Sequence, residues 1–361
     1  MAEGRTPDRA PFAPNIGQWF GAHKAKGTLP AELADCTDEV DAMKRMGCDI
    51  FSRRCGHFVT IRRGNGIEAA SEKLDAHTTR NVLRTPHGEL SSVSVFQPES
   101  HTSYEREHFW KDFEKEYPAI RYLTEHTAYE FDANAHRAAD ARVGDDGLAI
   151  VGAQQTPLKY FIQLAGAENA MVWLAEYPGA MRELAELHVE RTLAFARQVA
   201  NGDAFGMMSM DNLCSLFYTP RLFDAWCRDY YARIGQVLHA RGKFWCAHAC
   251  GRVSTLRNRV ADVQLDGLEG TPHAPLGDIE LARFRDTIAY DRHVVWGGMT
   301  CHEQEFAADA RGRIHAFVKG LFETLRPFHR FVFSSACNTS IRTPWDNLRH
   351  FQDACYAHGR N

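Results

Sequence analysis

The sequence predicts an α/β chain folded as a (β/α)8 TIM barrel, with an extra β-hairpin region near the N-terminus. Two observations carry this expectation. From Gly147 onward, short apolar runs alternate with helical stretches, the pattern of a parallel sheet under covering helices. Asp211, His248, Cys250, Glu269 and Cys337 each fall at or just past the C-terminal end of an expected strand. In a closed barrel those ends meet at one mouth, where barrel enzymes keep their active sites. An open doubly wound sheet spreads them along a crevice instead. No G-x-G-x-x-G or Walker stretch occurs where a nucleotide would need one.

Taken in order, residues 1–35 are punctuated by Pro7, Pro11, Pro14, Gly17, Gly21, Gly27 and Pro30. They read as an irregular arm with one short helix near 18–26, ahead of a single barrel domain over 36–361. A short helix over 38–46 leads into a strand at 48–51. Residues 58–62, followed by Arg63-Gly64-Asn65-Gly66, signal a strand and tight turn. Residues 82–84 and 90–96, around Thr85-Pro86-His87-Gly88, form a hairpin. The charge-dense stretch 105–116 reads as an exposed helix. Strands follow at 147–152, 204–210, 243–250, 265–268, 293–297 and 330–334. Helices follow at 181–200, 278–286, 314–325 and 344–358, and one starts on Thr219-Pro220 and ends at Gly242.

Composition excludes several classes. A net charge of -4 gives no global pull toward nucleic acid or an anionic membrane. No run of about 18 apolar residues exists to span a bilayer. The opening MAEGRTPDRAPFAP lacks the apolar centre of a signal peptide. The ten cysteines form no C-x-x-C, and the chain is too long for a disulfide scaffold. The expectation is a reduced, cytoplasmic protein.

Residues 244–251, FWCAHACG, hold the strongest chemical signal. Side chains two apart on a strand share a face, so His248 and Cys250 point together. Imidazole plus thiolate is a donor set that zinc prefers. Cys246 shares that face one pleat deeper and fills the barrel, while Trp245 packs under the outer helices. Alone, H-x-C is most simply a buried histidine and a small buried cysteine. Three features favour a metal: Gly251 follows directly, Cys337 ends a separate strand, and Glu269 ends the strand between them. Asp211 is either a pocket carboxylate that binds substrate or moves a proton, or a loop residue capping the next helix. Phe217, Tyr218 and Trp345 fall near the expected mouth, suiting an aromatic or apolar substrate or simple rim packing.

From Asp211 through LFYTPRLFDAWCRDYYARIGQVLHARGKFWCAHACGRV, the chain resembles the uroporphyrinogen decarboxylase superfamily, and within it the zinc- and corrinoid-dependent methyltransferase branch. GLEGTPHAPLGDIEL, VVWGGM, SSACNTSIRTPWDNLRHFQDA and LRTPHGELSSVSVFQPESHTS resemble further segments of that superfamily. The resemblance implies zinc held by His248, Cys250 and Cys337, with Glu269 as a fourth or displaceable ligand. It implies catalytic roles for Asp211 and Glu269. It also implies a separate corrinoid (cobalamin) protein as methyl carrier, and a thiol, alcohol, amine or methoxylated aromatic as methyl donor or acceptor. The superfamily's homodimers imply a homodimer here. The true decarboxylases carry an R-Q-A-G-R stretch that clamps substrate carboxylates, where this chain has only Ser52-Arg53-Arg54-Cys55-Gly56. That argues against porphyrinogen decarboxylation. A metal-free decarboxylase or lyase using Asp211 and arginines is the alternative, and a non-catalytic barrel binding a corrinoid or tetrapyrrole partner is a third reading. Cys337 is followed by Asn338-Thr339 rather than the family's usual Gly or Asp, which points away from methylthiol and methanol as substrates.

Overall fold

Runs such as Val294–Met299 and Phe331–Ser335 offer small or apolar residues on both parities, and every residue in them is buried. A strand covered on both faces needs that composition. The computed structural model describes residues 6–53, 58–64, 66–287 and 292–361. Fourteen strands occur among them. The first seven are β1 (Ile50–Ser52), β2 (Val59–Arg63), β3 (Glu68–Lys73), β4 (Thr78–Thr85), β5 (Gly88–Gln97), β6 (Thr102–Glu107) and β7 (Thr127–Phe131). The others are β8 (Gly147–Ala149), β9 (Val151–Ala153), β10 (Gly206–Ser209), β11 (Phe244–His248), β12 (Gly267–Glu269), β13 (Val294–Met299) and β14 (Phe331–Ser335).

Strands β9 to β14 form a six-stranded parallel sheet in the order β14-β13-β12-β11-β10-β9, and β1 pairs in parallel with β8. The parallel α/β architecture is the expected one. The regular ladders are six strands plus two, however, rather than eight continuous ones. The interruptions have local causes. Ile150 separates β8 from β9 and gives its N–H to Ser52 O at 3.1 Å. At the other edge, Pro11 and Pro14 lack the N–H a ladder requires. Only isolated bonds form there: Phe333 N to Pro11 O, Ala13 N to Phe333 O and Asp49 N to Phe12 O, each 2.9 Å.

Side-chain alternation divides the buried residues into two clusters. Ala13, Ile150, Met208, Cys246, Trp296 and Val332, from six different segments, pack together in one. Met207, Trp245, Ala247, Phe331 and Phe333 join the larger cluster, which also takes in the covering helices. Cys246 and Trp245 thus lie on the two faces expected of them.

The N-terminal β-structure is larger than one hairpin. Strands β3 to β6 form a four-stranded antiparallel sheet, and β2 pairs with β7. The 85–88 turn joins β4 to β5 as read from the sequence. The turn after β5 lies beside the loop after β14, where Gln97, Ser100, Ser340 and Arg342 line one cleft. The exposed helix expected over 105–116 is instead strand β6 followed by the helix Phe113–Glu125. All six residues of β6 are exposed, and its charges are those of an edge strand that resists pairing.

Thr219 caps the next helix as expected, accepting from Leu222 N at 3.3 Å. That helix breaks at Cys227 (φ -124, ψ -34) into Pro220–Trp226 and Arg228–His239. Residues expected as a helix over 278–286 form the 3-10 turn Leu281–Thr287. Arg54, Cys55, Gly56 and Asn65 lie outside the described residues. Among the described residues, no helix is long and apolar enough to cross a membrane.

Candidate metal centre

Parallel register brings the first pair together. His248 on β11 stands opposite Glu269 on β12, so their side chains leave the same face side by side. His248 Nδ1 lies 2.5 Å from a Glu269 oxygen, with both residues buried. A carboxylate only accepts, so the ring proton sits on Nδ1 and the Nε2 lone pair faces the other way. That nitrogen looks at Cys337 Sγ, 3.6 Å away. A nitrogen and a sulfur sharing one tetrahedral zinc are separated by about 3.6 Å, given Zn–S near 2.3 Å and Zn–N near 2.05 Å. Cys250, two residues past His248, completes the cluster. The three ligand atoms lie within 4.8 Å of one another. The donor set and the spacing both fit a zinc ion.

Glu269 is not among those atoms. It stands behind the imidazole, which makes it an orienting carboxylate rather than the fourth ligand the resemblance implies. Its other oxygen pairs with Arg53 at 3.2 Å. Burial alone raises the pKa of Glu269, but the Arg53 guanidinium and the His248 ring outweigh it and hold the carboxyl below its usual range. At His248, burial disfavours the charged ring. The Glu269 charge and the bond to Cys337 overcome that and push the pKa up to about 9. Between the sulfurs, the Cys250 thiol donates to Cys337, lowering the pKa of Cys337 and raising that of Cys250. A metal held here would displace the protons those sites otherwise carry.

Two glycines let these pieces meet. A Cβ on Gly251 would lie 2.4 Å from Cys214 Sγ. Gly270 has φ +103, and a Cβ there would lie 2.5 Å from Ala249 O and 2.9 Å from His248 Cε1. Gly270→Ala is expected to cost about 1–3 kcal/mol in stability through backbone strain, and to weaken metal retention by displacing the ring. Thermal melting and metal content of the purified variant check this. A variant matching wild type in both contradicts it.

Asp211 is the clearest departure from expectation. It is fully buried, and its carboxylate accepts from Thr156 N (2.8 Å), Thr156 Oγ1 (3.0 Å), Ser209 Oγ (2.6 Å) and the Tyr231 hydroxyl. Those donors fill its acceptor capacity. Burial pushes the carboxyl pKa up while the donors pull it down, with burial dominant. Asp211 thus ties the N-cap of the helix Pro157–Ala165, β10 and the helix Arg228–His239 together, with its acceptor sites filled by the chain's own donors. Tyr218 is also buried and donates to Asp211 O at 2.9 Å. Trp345 stacks on Trp19 with ring centroids 6.0 Å apart. Only Phe217 of the three aromatics stays exposed, next to exposed Leu216.

The residues that the sequence reading missed come from the N-terminal segment. Arg53 follows β1 directly and donates to Cys337 O at 2.9 Å. Asn15 Nδ2 donates to the same carbonyl at 2.6 Å, and Thr339 N donates to Asn15 O at 2.8 Å. Arg53 satisfies the rule that singled out the others, a polar residue just past a strand's C-terminal end.

Residues 112–358 match the family model for uroporphyrinogen decarboxylase (URO-D). None of the curated proteins matches the chain. Among solved structures, a methyltransferase from Methanosarcina mazei shares the fold, with a TM-score of 0.61 at 13% identity over 99% of this chain and 96% of its own. An intracellular xylanase from Thermoanaerobacterium saccharolyticum aligns at a TM-score of 0.36 and 10% identity, over 60% of this chain and 74% of its own, too loosely to support an argument.

Proposed function

This chain belongs to the uroporphyrinogen decarboxylase family, and from that premise we propose that it is a zinc-dependent methyltransferase. It moves a methyl group between a corrinoid carried on a partner protein and a small thiol, alcohol, amine or methoxylated aromatic. One observation supports this reading above the rest: His248, Cys250 and Cys337, from two separate strand ends, converge to within 4.8 Å. A metal-free decarboxylase relying on Asp211 has no comparable support, because that carboxylate is saturated by the chain's own donors.

The isolated bonds through residues 11–13 and β1 fit a sheet that closes as a (β/α)8 barrel, with the centre at its mouth. His248 Nε2 and the sulfurs of Cys250 and Cys337 would hold the ion, a three-ligand set of the kind found in catalytic rather than structural zinc sites. When bound, zinc supplies a Lewis acid for the oxygen, sulfur or nitrogen of the methyl donor or acceptor. Two thiolates would offset the charge of a bound dication. Glu269 fixes the ring by accepting from Nδ1. Asp211 braces β10 against the adjoining helix and keeps the loop carrying Leu213 against β11, where Leu213 N bonds His248 O at 3.0 Å. The exposed Leu216 and Phe217 form an apolar rim on that same loop.

The test is methyl transfer between cobalamin and a panel of thiols, methanol, methylamines and methoxylated aromatics, followed by cobalamin absorbance. Turnover is expected with one class of the panel and is lost in His248→Ala. Full turnover by zinc-free protein contradicts the proposal.

A further inference from the structure

Arg53 reaches Glu269, the His248 ring and the Cys337 carbonyl without contributing a ligand atom. Its side chain is 12% exposed and follows β1. Nη1 reaches a Glu269 oxygen at 3.2 Å and Cys337 O at 2.9 Å. Nη2 lies 3.2 Å from His248 Nδ1 and 4.0 Å from Met210 Sδ. One planar fork therefore links the ends of β1, β11 and β12 to the loop after β14. A lysine cannot do this, having a single nitrogen and no fixed plane.

We propose that Arg53 is the positioning residue of the metal centre, holding Glu269 against the His248 ring and the Cys337 loop against both. The inference rests on reading His248, Cys250 and Cys337 as metal ligands. It goes beyond that reading by making the centre depend on a segment outside the family match. Arg53 and Asn15, which share the Cys337 carbonyl, both precede residue 112, where that match begins.

Two consequences follow from the geometry. Without Arg53, the Glu269 carboxylate loses its guanidinium partner and keeps the His248 ring, and the Cys337 carbonyl loses one of the two side-chain donors named above. The ligand atoms then stay folded but less well aimed. Without Glu269, the guanidinium loses that carboxylate beside the metal position, while Nη2 still lies 3.2 Å from His248 Nδ1. Removing both is then less harmful than the two single losses combined.

The experiment measures zinc dissociation constants by competition with a chromophoric chelator. It compares wild type, Arg53→Met, Arg53→Lys, Glu269→Gln and the Arg53→Met/Glu269→Gln double variant. Each is also followed by thermal melting and by the visible spectrum of its cobalt(II) form. Arg53→Met is expected to weaken zinc about 10- to 100-fold, the usual effect of removing an outer-shell partner. Its cobalt spectrum should shift as the ligand geometry loosens. Arg53→Lys should recover part of that loss, and the double variant should lose less than the product of the singles. A lower melting temperature with unchanged zinc affinity would mean ordinary packing and would overturn the inference. If Arg53→Met does not fold, Arg53→Lys decides alone, and wild-type affinity there also overturns it. Wild-type protein that binds no zinc sinks the proposed function and this inference together, whereas zinc-binding wild type with insensitive variants sinks only this one.

Discussion

Cys337→Ala is expected to leave the protein folded but unable to retain zinc or transfer a methyl group. The side chain sits in a loop, half-buried, so its loss opens little core. Its sulfur is one of the three converging donors among the described residues, and a centre reduced to one imidazole and one thiolate would keep two of those three. The backbone around it stays fixed by Asn15 and Arg53 through the Cys337 carbonyl, which alanine retains. Metal analysis should fall from one zinc per chain to near none, while the thermal midpoint of the metal-free proteins changes little. A Cys337→Ala protein that keeps stoichiometric zinc shows that the ligand set has been misassigned.

Asp211→Ala is expected to do the opposite, with stability as the first casualty. Alanine leaves four buried donors facing a cavity. The hydroxyls of Ser209, Thr156 and Tyr231 can turn toward one another, but the Thr156 N–H cannot. An orphaned buried donor costs about 1–3 kcal/mol, so a loss of at least that size is expected, a large fraction of a typical folding free energy. Asp211→Asn keeps a carbonyl oxygen for Thr156 and should cost far less. Denaturant melts of both variants check this. If Asp211→Ala were stable but inactive, the carboxylate would be acting on substrate after all.

The contrast between these residues shows what the sequence could and could not reveal. The two-residue period of a strand was enough to put Cys246 on one face and Trp245 on the other. Ending a strand was enough to bring Cys337 to His248 and Cys250. Strand ends do not say which way a carboxylate turns, however. Glu269 and Asp211 looked alike in sequence. Register then set one behind an imidazole, and three hydrogen-bonding segments enclosed the other. The stretch around 105–116 failed because a charged, exposed edge strand and a charged helix have the same composition. The sheet's outer links were hidden by Pro11 and Pro14, which read as loop although residues 11–13 lie between Phe333 and Asp49. Arg53 was visible but was weighed only as a possible carboxylate clamp. Its long-range contacts to Glu269 and Cys337 follow from the fold, not from its neighbours in sequence.

X-ray absorption at the zinc edge of the purified, reduced protein decides whether the three side chains hold a metal. The expected spectrum is one zinc per chain with two sulfurs near 2.3 Å, one imidazole nitrogen at about 2.0–2.1 Å, and one light-atom position that changes when a substrate thiol or alcohol is added. Protein that takes up no zinc, or whose zinc shell holds only nitrogen and oxygen, contradicts the proposed metal site.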